Sequence, residues 1–210
     1  MLQPLLFAFV LAALRGELPP DRTSALHAVS FPWAAETAEQ RDERYVSIAQ
    51  DVAAAAALEA PEHRARLAAL LVAVALRESA LAPDVDLPEC HPDRVAGKGA
   101  ARGATCDGGR ARSIFQLQNF RAETRAAFAV ETRAAIGRSR RACAKAGLPP
   151  EERLAAFASG DCNKEAGKKL SRDREAYAAR ILQRYSHVLR TAPRAPCEGT
   201  CAVVKRAGVP

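Results

Sequence analysis

Between Leu67 and Leu76 the chain reads "LAALLVAVAL", ten residues without a charge or a hydroxyl. Wound as a helix, this run is apolar on every face, and such a helix is stable only when other elements surround it. Its limits are written on either side. Pro61 and Glu62 open it, since proline is tolerated in the first turn and an acid is favoured there. Pro83 closes it, because the residue before a proline is pushed out of the helical region. The pattern predicts a core helix over 61–81 and an all-α domain wrapped around it. That helix ends on Arg77, Glu78 and Ser79. A charge at the end of a buried element costs free energy unless it is solvated, paired or used.

The wrapping elements follow from periodicity. A helix over 38–59 carries Tyr45, Ile48, Ala49, Val52 and Ala56 on one stripe. After the core helix comes an irregular stretch over 82–112 with Pro83, Pro88 and Pro92 and the run "GKGAARGATCDGG". Loops this long inside a compact domain are functional or disordered. Helices are then predicted over "SIFQLQNF" (113–120), over 123–146, over "EERLAAFASG" (151–160) and over 163–189, the last with Tyr177, Ile181 and Tyr185 at helical spacing. No run reads as a strand. The length of 210 residues suits one domain.

The ends read differently from this middle. "LLFAFVLAAL", Leu5 to Leu14, has the length of a signal-peptide core and is short for a bilayer span. No basic residue precedes it and no small-x-small site follows, so 1–20 is expected to be a signal peptide or a weak N-terminal anchor. Residues 21–38 read as a linker or arm, 39–190 as the domain, and 191–210 as a loosely held tail.

Six cysteines, an even number, point to a disulfide-stapled protein of an oxidising compartment, periplasmic or secreted. A bridge between Cys90 and Cys106 would close the long loop. Cys143 and Cys162 fall at the end of one predicted helix and the start of another and are expected to staple them. Cys197 and Cys201 could pair locally. The alternative use of Cys90, His91, Cys106 and Asp107 as a metal site has no usual zinc spacing, so neither a metal nor a cofactor is expected. The net charge of +7 suits an anionic partner. Nucleic acid is not favoured, because no helix interleaves its arginines with aromatics and "GRSRRACAK" reads as a solvated face. No further run is long and apolar enough to span a bilayer, so no membrane contact beyond the N-terminal segment is expected, and a monomer is the simplest state.

Three short stretches belong together. "ALRESAL" resembles the Glu-Ser motif that ends the core helix of lysozyme-like lytic transglycosylases of the soluble-lytic type. "ARSIFQLQ", Ala111 to Gln118, is similar to that family's Gly-Leu-Met-Gln stretch, with Ile114 and Phe115 at the apolar positions and Gln116 at the glutamine. "AAFASGDC", Ala155 to Cys162, is similar to its Tyr-Asn-Ala-Gly motif. Glu78 and Gln116 are 38 residues apart, and Gln116 and Phe157 are 41 apart, a spacing that also suits the family. The resemblance covers about residues 45 to 185 and has three departures. Ser113 stands for the glycine of the second motif, Phe157 for the tyrosine of the third, and Ala158 for its asparagine.

The resemblance implies a lysozyme-like helical fold with a long loop after the catalytic helix, and cleavage of the β-1,4 bond between N-acetylmuramic acid and N-acetylglucosamine in peptidoglycan strands. Glu78 would be the single acid and base, partly buried against apolar neighbours. Ser79, Phe115, Gln116 and Phe157 would contact substrate. A hydrolase usually needs a second carboxylate, and Asp84, Asp86 and Asp107 are the nearby candidates, each better read as a loop residue. The transglycosylase reaction is therefore expected over hydrolysis, with a catalytically inactive wall-binding protein as the remaining alternative.

Overall fold

A computed structural model describes residues 3–22, 35–86, 90–96 and 106–190. The chain is mostly helical, in the order α1 (Gln3–Glu17), α2 (Ala38–Ala57), α3 (Pro61–Ser79), the single turns α4 (Pro92–Val95) and α5 (Cys106–Gly109), strands β1 (Ala111–Arg112) and β2 (Leu117–Gln118), then α6 (Arg125–Lys145), α7 (Ala155–Ser159) and α8 (Glu165–Tyr185).

The apolar run behaves as its composition demands. Every residue from Leu67 to Ala75 is buried, and α3 is enclosed by α1, α2, α6 and α8. Side-chain caps set the starts of two of these neighbours. Thr37 Oγ1 accepts from the Gln40 amide at 3.2 Å and Gln40 Oε1 accepts from the Thr37 amide at 2.9 Å, a reciprocal capping box at the head of α2. Thr124 Oγ1 accepts from the Ala127 amide at 3.3 Å at the head of α6. Bridges Cys90–Cys106 and Cys143–Cys162 both form, with Cα atoms 6.5 and 5.3 Å apart. The first takes both sulfurs of the alternative metal site. Cys197 and Cys201 lie outside the described residues, as do most of the arm and all of the tail.

Three elements differ from the sequence reading. The stretch Leu5–Leu14, expected to stand outside the domain, lies within α1, whose Leu6, Phe9, Val10, Ala13 and Leu14 are buried in the main core. These residues recur at helical spacing on one face, the pattern of a packed amphipathic helix. Polar contacts add to the fit: Arg15 makes a two-pronged contact with Asp42 at 2.6 Å for each prong, and Glu17 accepts from Tyr177, Arg184 and Tyr185 of α8. Gly16 allows this approach, since a Cβ there would meet the Tyr185 hydroxyl at 2.1 Å. Among the described residues no helix is long and apolar enough to cross a membrane.

"SIFQLQNF" is a tight turn and a strand, not a helix. β1 and β2 pair antiparallel, Ala111 with Gln118 and Arg112 with Leu117, and Ser113, Gln116 and Asn119 all take left-handed φ angles, of 60°, 49° and 59°. Ile114, Phe115 and Leu117 are all buried from this one turn. The left-handed residues at 113 and 116 interrupt any right-handed helix through this segment.

"EERLAAFASG" is likewise broken, into a 3₁₀ turn at Pro150–Glu152 and α7. Hydroxyls from neighbouring helices satisfy the backbone at the break. Ser139 Oγ of α6 donates to the Arg153 carbonyl and accepts from the Phe157 amide, both at 2.9 Å. Ser171 Oγ of α8 accepts from the Leu154 amide at 2.9 Å.

Candidate active site

The three motif stretches meet at one groove of about 590 Å³, lined by Glu78, by residues 115–118, by residues 156–160, by Arg174 and by one face of α6. Ala135, Arg138, Ser139 and Ala142 form that face, the small residues at helical spacing with the Arg138 guanidinium paired to Glu131 beside them. Glu78 is the carboxylate of this lining among the described residues.

Local folding explains how Glu78 reaches the groove. Ala80 and Leu81 both adopt left-handed φ angles, of 46° and 56°, and turn the chain sharply at the end of α3. Ser79 secures the turn, donating from Oγ to the Ala75 carbonyl at 2.9 Å and accepting from the Leu81 amide at 3.1 Å. Ser79 is buried and is not part of the groove lining. Its expected contact with substrate is therefore replaced by a positioning role, because its hydroxyl is already engaged on both sides.

The glutamine motif sits opposite. Gln116 returns its backbone amide to the Ser113 carbonyl at 3.0 Å and its Nε2 to the same carbonyl at 2.8 Å. This leaves Oε1 without a hydrogen-bond partner among the described residues. Gln116 therefore presents an acceptor from a strained turn and not from a helix. Ser113, in the family's glycine position, holds a φ of 60°, where a Cβ is disfavoured and glycine is not. Its Oγ is buried without a hydrogen-bond partner among the described residues. Phe115 is almost wholly buried but edges the groove, and Phe157 is half-buried at its wall.

Periodicity and motif spacing gave no signal for Arg174. Its Nη2 donates to Glu78 Oε1 in an ion pair, and its guanidinium lies 5.6 Å from the centre of the Phe157 ring. The Arg174 side chain is only 8% exposed against 24% for Glu78. Nε and Nη1 of Arg174 are buried with no hydrogen-bond partner among the described residues. Glu78 thus faces a guanidinium where apolar neighbours were expected. A proton carried on Oε1 would occupy the place of the arginine N–H, so the pair must part before that oxygen can donate. Oε2 accepts no hydrogen bond among the described residues.

None of the three aspartates near the motif in sequence lines the groove. Asp84 is fully buried. Asp86 Oδ2 is held by Arg125 at 2.6 Å and by Arg44 at 3.4 Å, which pins the start of the loop against α2 and α6. Asp107, in the turn before β1, accepts from Gln118 at the edge of the groove lining.

The wall of the groove depends on one close contact. A Cβ on Gly167 of α8 would meet Ser159 Oγ at 2.2 Å and the Ala155 carbonyl at 2.8 Å. Glycine here lets α8 approach α7 closely enough to set Phe157 over Arg174. No family model, curated protein or solved structure matches the chain.

Proposed function

We propose that the chain is a peptidoglycan lytic transglycosylase, acting on the bond between N-acetylmuramic acid and N-acetylglucosamine with Glu78 as its single acid and base. One observation carries the reading. Three stretches far apart in sequence, each resembling a motif of that family, line one groove in which Glu78 is the carboxylate among the described residues.

The chemistry requires one group in two states. Glu78 protonates the glycosidic oxygen as the bond to the anomeric carbon breaks. As carboxylate it then takes the proton of the muramyl 6-hydroxyl, whose oxygen closes on the anomeric carbon to give a 1,6-anhydro end. The proton returns to Glu78 and no water is consumed. Hydrolysis with retention or inversion would call for a second carboxylate roughly 5–10 Å from the first. Asp84, Asp86 and Asp107 are absent from the lining, which favours the single-acid route. Gln116 Oε1 is suited to accept from an acetamido N–H, and Phe157 offers an apolar face to a sugar ring. The lysozyme-like description of the helical domain belongs to the same proposal. The two disulfides fit action in an oxidising compartment, and the positive charge favours approach to an anionic wall.

A second reading is a protein that grips glycan strands without cutting them. The Arg174 clamp on Glu78 favours it. Incubating the protein with purified sacculi and analysing released muropeptides by mass spectrometry separates the readings. Anhydro ends that vanish in Glu78→Gln support the transglycosylase. Reducing ends support a hydrolase, and binding without release supports the gripping protein.

A further inference from the structure

A second cavity, of about 390 Å³, lies between the start of α3, the opposite face of α6 and the segment before α7. Its lining contains five arginines and two glutamates. Two of the arginines share one carboxylate: Arg66 reaches Glu175 Oε2 at 3.2 Å and Arg140 reaches Oε1 at 2.6 Å. Arg133 pairs with Glu59 at 2.8 Å. Arg141 and Arg153 face no carboxylate among the described residues, so the lining carries an excess of positive charge. Guanidinium groups repel one another, and a concave wall of low dielectric concentrates their field instead of dispersing it.

One further feature sharpens the site. Arg133 Nε is buried with no hydrogen-bond partner among the described residues, an N–H that folding has removed from water without replacing its bond. α3 begins at the rim with no side-chain cap, and Glu62 in its first turn answers the dipole there, so the arginines supply the positive charge of the cleft.

We propose that this cleft binds a phosphate-bearing anion. Guanidinium forks match tetrahedral phosphate oxygens in pairs, and several of them around one cleft suit a ligand with more than one negative charge. Glu175, only 8% exposed on its side chain, holds the Arg66 and Arg140 guanidiniums side by side at the cleft. The cleft and the groove sit on opposite sides of α6, so this assignment is independent of the reaction proposed for Glu78. The phosphate could belong to a soluble compound or to a lipid headgroup.

The test titrates sodium pyrophosphate into the full-length, disulfide-bonded protein by calorimetry. The wild type should bind one equivalent. Arg66→Gln with Arg141→Gln should weaken binding roughly tenfold or more, while thermal melting confirms that the variant is folded. Lys169→Gln with Arg190→Gln removes the same charge from exposed positions elsewhere and should change affinity less than about twofold. Absence of binding to the wild type, or equal loss in both double variants, overturns the proposal. Vesicles of phosphatidylglycerol and of phosphatidylcholine then identify the source. Retention on the former alone, competed by pyrophosphate, supports a headgroup, and pyrophosphate binding without vesicle retention supports a soluble phosphate compound.

Discussion

Arg174 of α8 donates a hydrogen bond to Glu78 at the end of α3, across 96 residues of sequence. The two partners are unequally buried, and the difference predicts unequal mutants. Glu78→Ala leaves a guanidinium sealed against Phe157 with no counter-charge, a loss that should destabilise the fold by roughly 3 kcal/mol, the low end for buried pairs because Glu78 keeps contact with solvent. Arg174→Met removes the charge and keeps the bulk, and should be close to neutral in urea denaturation. A larger loss in Arg174→Met than in Glu78→Ala would contradict this account.

The same pair predicts opposite effects on turnover. Glu78→Gln cannot donate or take a proton and should lower muropeptide release by about 10²- to 10⁴-fold. Arg174→Met frees Oε1 and should raise release several-fold at neutral pH. A fall in both variants would mean that the arginine positions the acid and does not restrain it.

Ser113 carries a left-handed backbone and an unpartnered buried hydroxyl. Ser113→Gly removes both penalties against a small loss of chain entropy and should stabilise the protein by about 1 kcal/mol. Ser113→Val should destabilise it. Chemical denaturation of the two variants measures the sign directly.

Gly167→Ala places a methyl group against the Ala155 carbonyl, which cannot rotate away as Ser159 Oγ can. The substitution should cost about 1–3 kcal/mol. Because α7 must move, it should also weaken binding of glycan fragments at the groove. Pairing it with Ser159→Gly should restore only part of the stability.

Alkaline stability has a defined window. Burial pushes the Tyr45 hydroxyl from 10.0 up to about 12, and burial with the Glu17 carboxylate does the same for Tyr177. In both cases the folded chain holds the proton longer than the unfolded one. Their contribution is complete below pH 10 and should be lost as the pH rises towards 12, with Tyr45 alone accounting for about 3 kcal/mol. Tyr45→Phe should flatten that limb of the stability profile.

What could be read from the sequence divides along physical lines. Leu67–Ala75, the starts of α2 and α6 and both described disulfides follow from local pattern and spacing. The hairpin at 111–118 does not, because its turn needs left-handed backbone at Ser113 and Gln116, and neither residue type marks such a position as glycine would. Arg174 was invisible for a related reason. Nothing near it in sequence marks it, and its role arises only when α8 closes against the end of α3. The packing of α1 was not legible either, because an apolar run of its length can be exported, anchored or packed, and nothing within it marks the faces of α2 and α8 that it meets.

The packing of α1 has a practical consequence. A shortened chain beginning near residue 35 would leave an open trough beside Tyr185 and strand Asp42 and Arg184 without their counterparts across it. A preparation for crystals or assays that keeps Gln3–Glu17 retains these contacts.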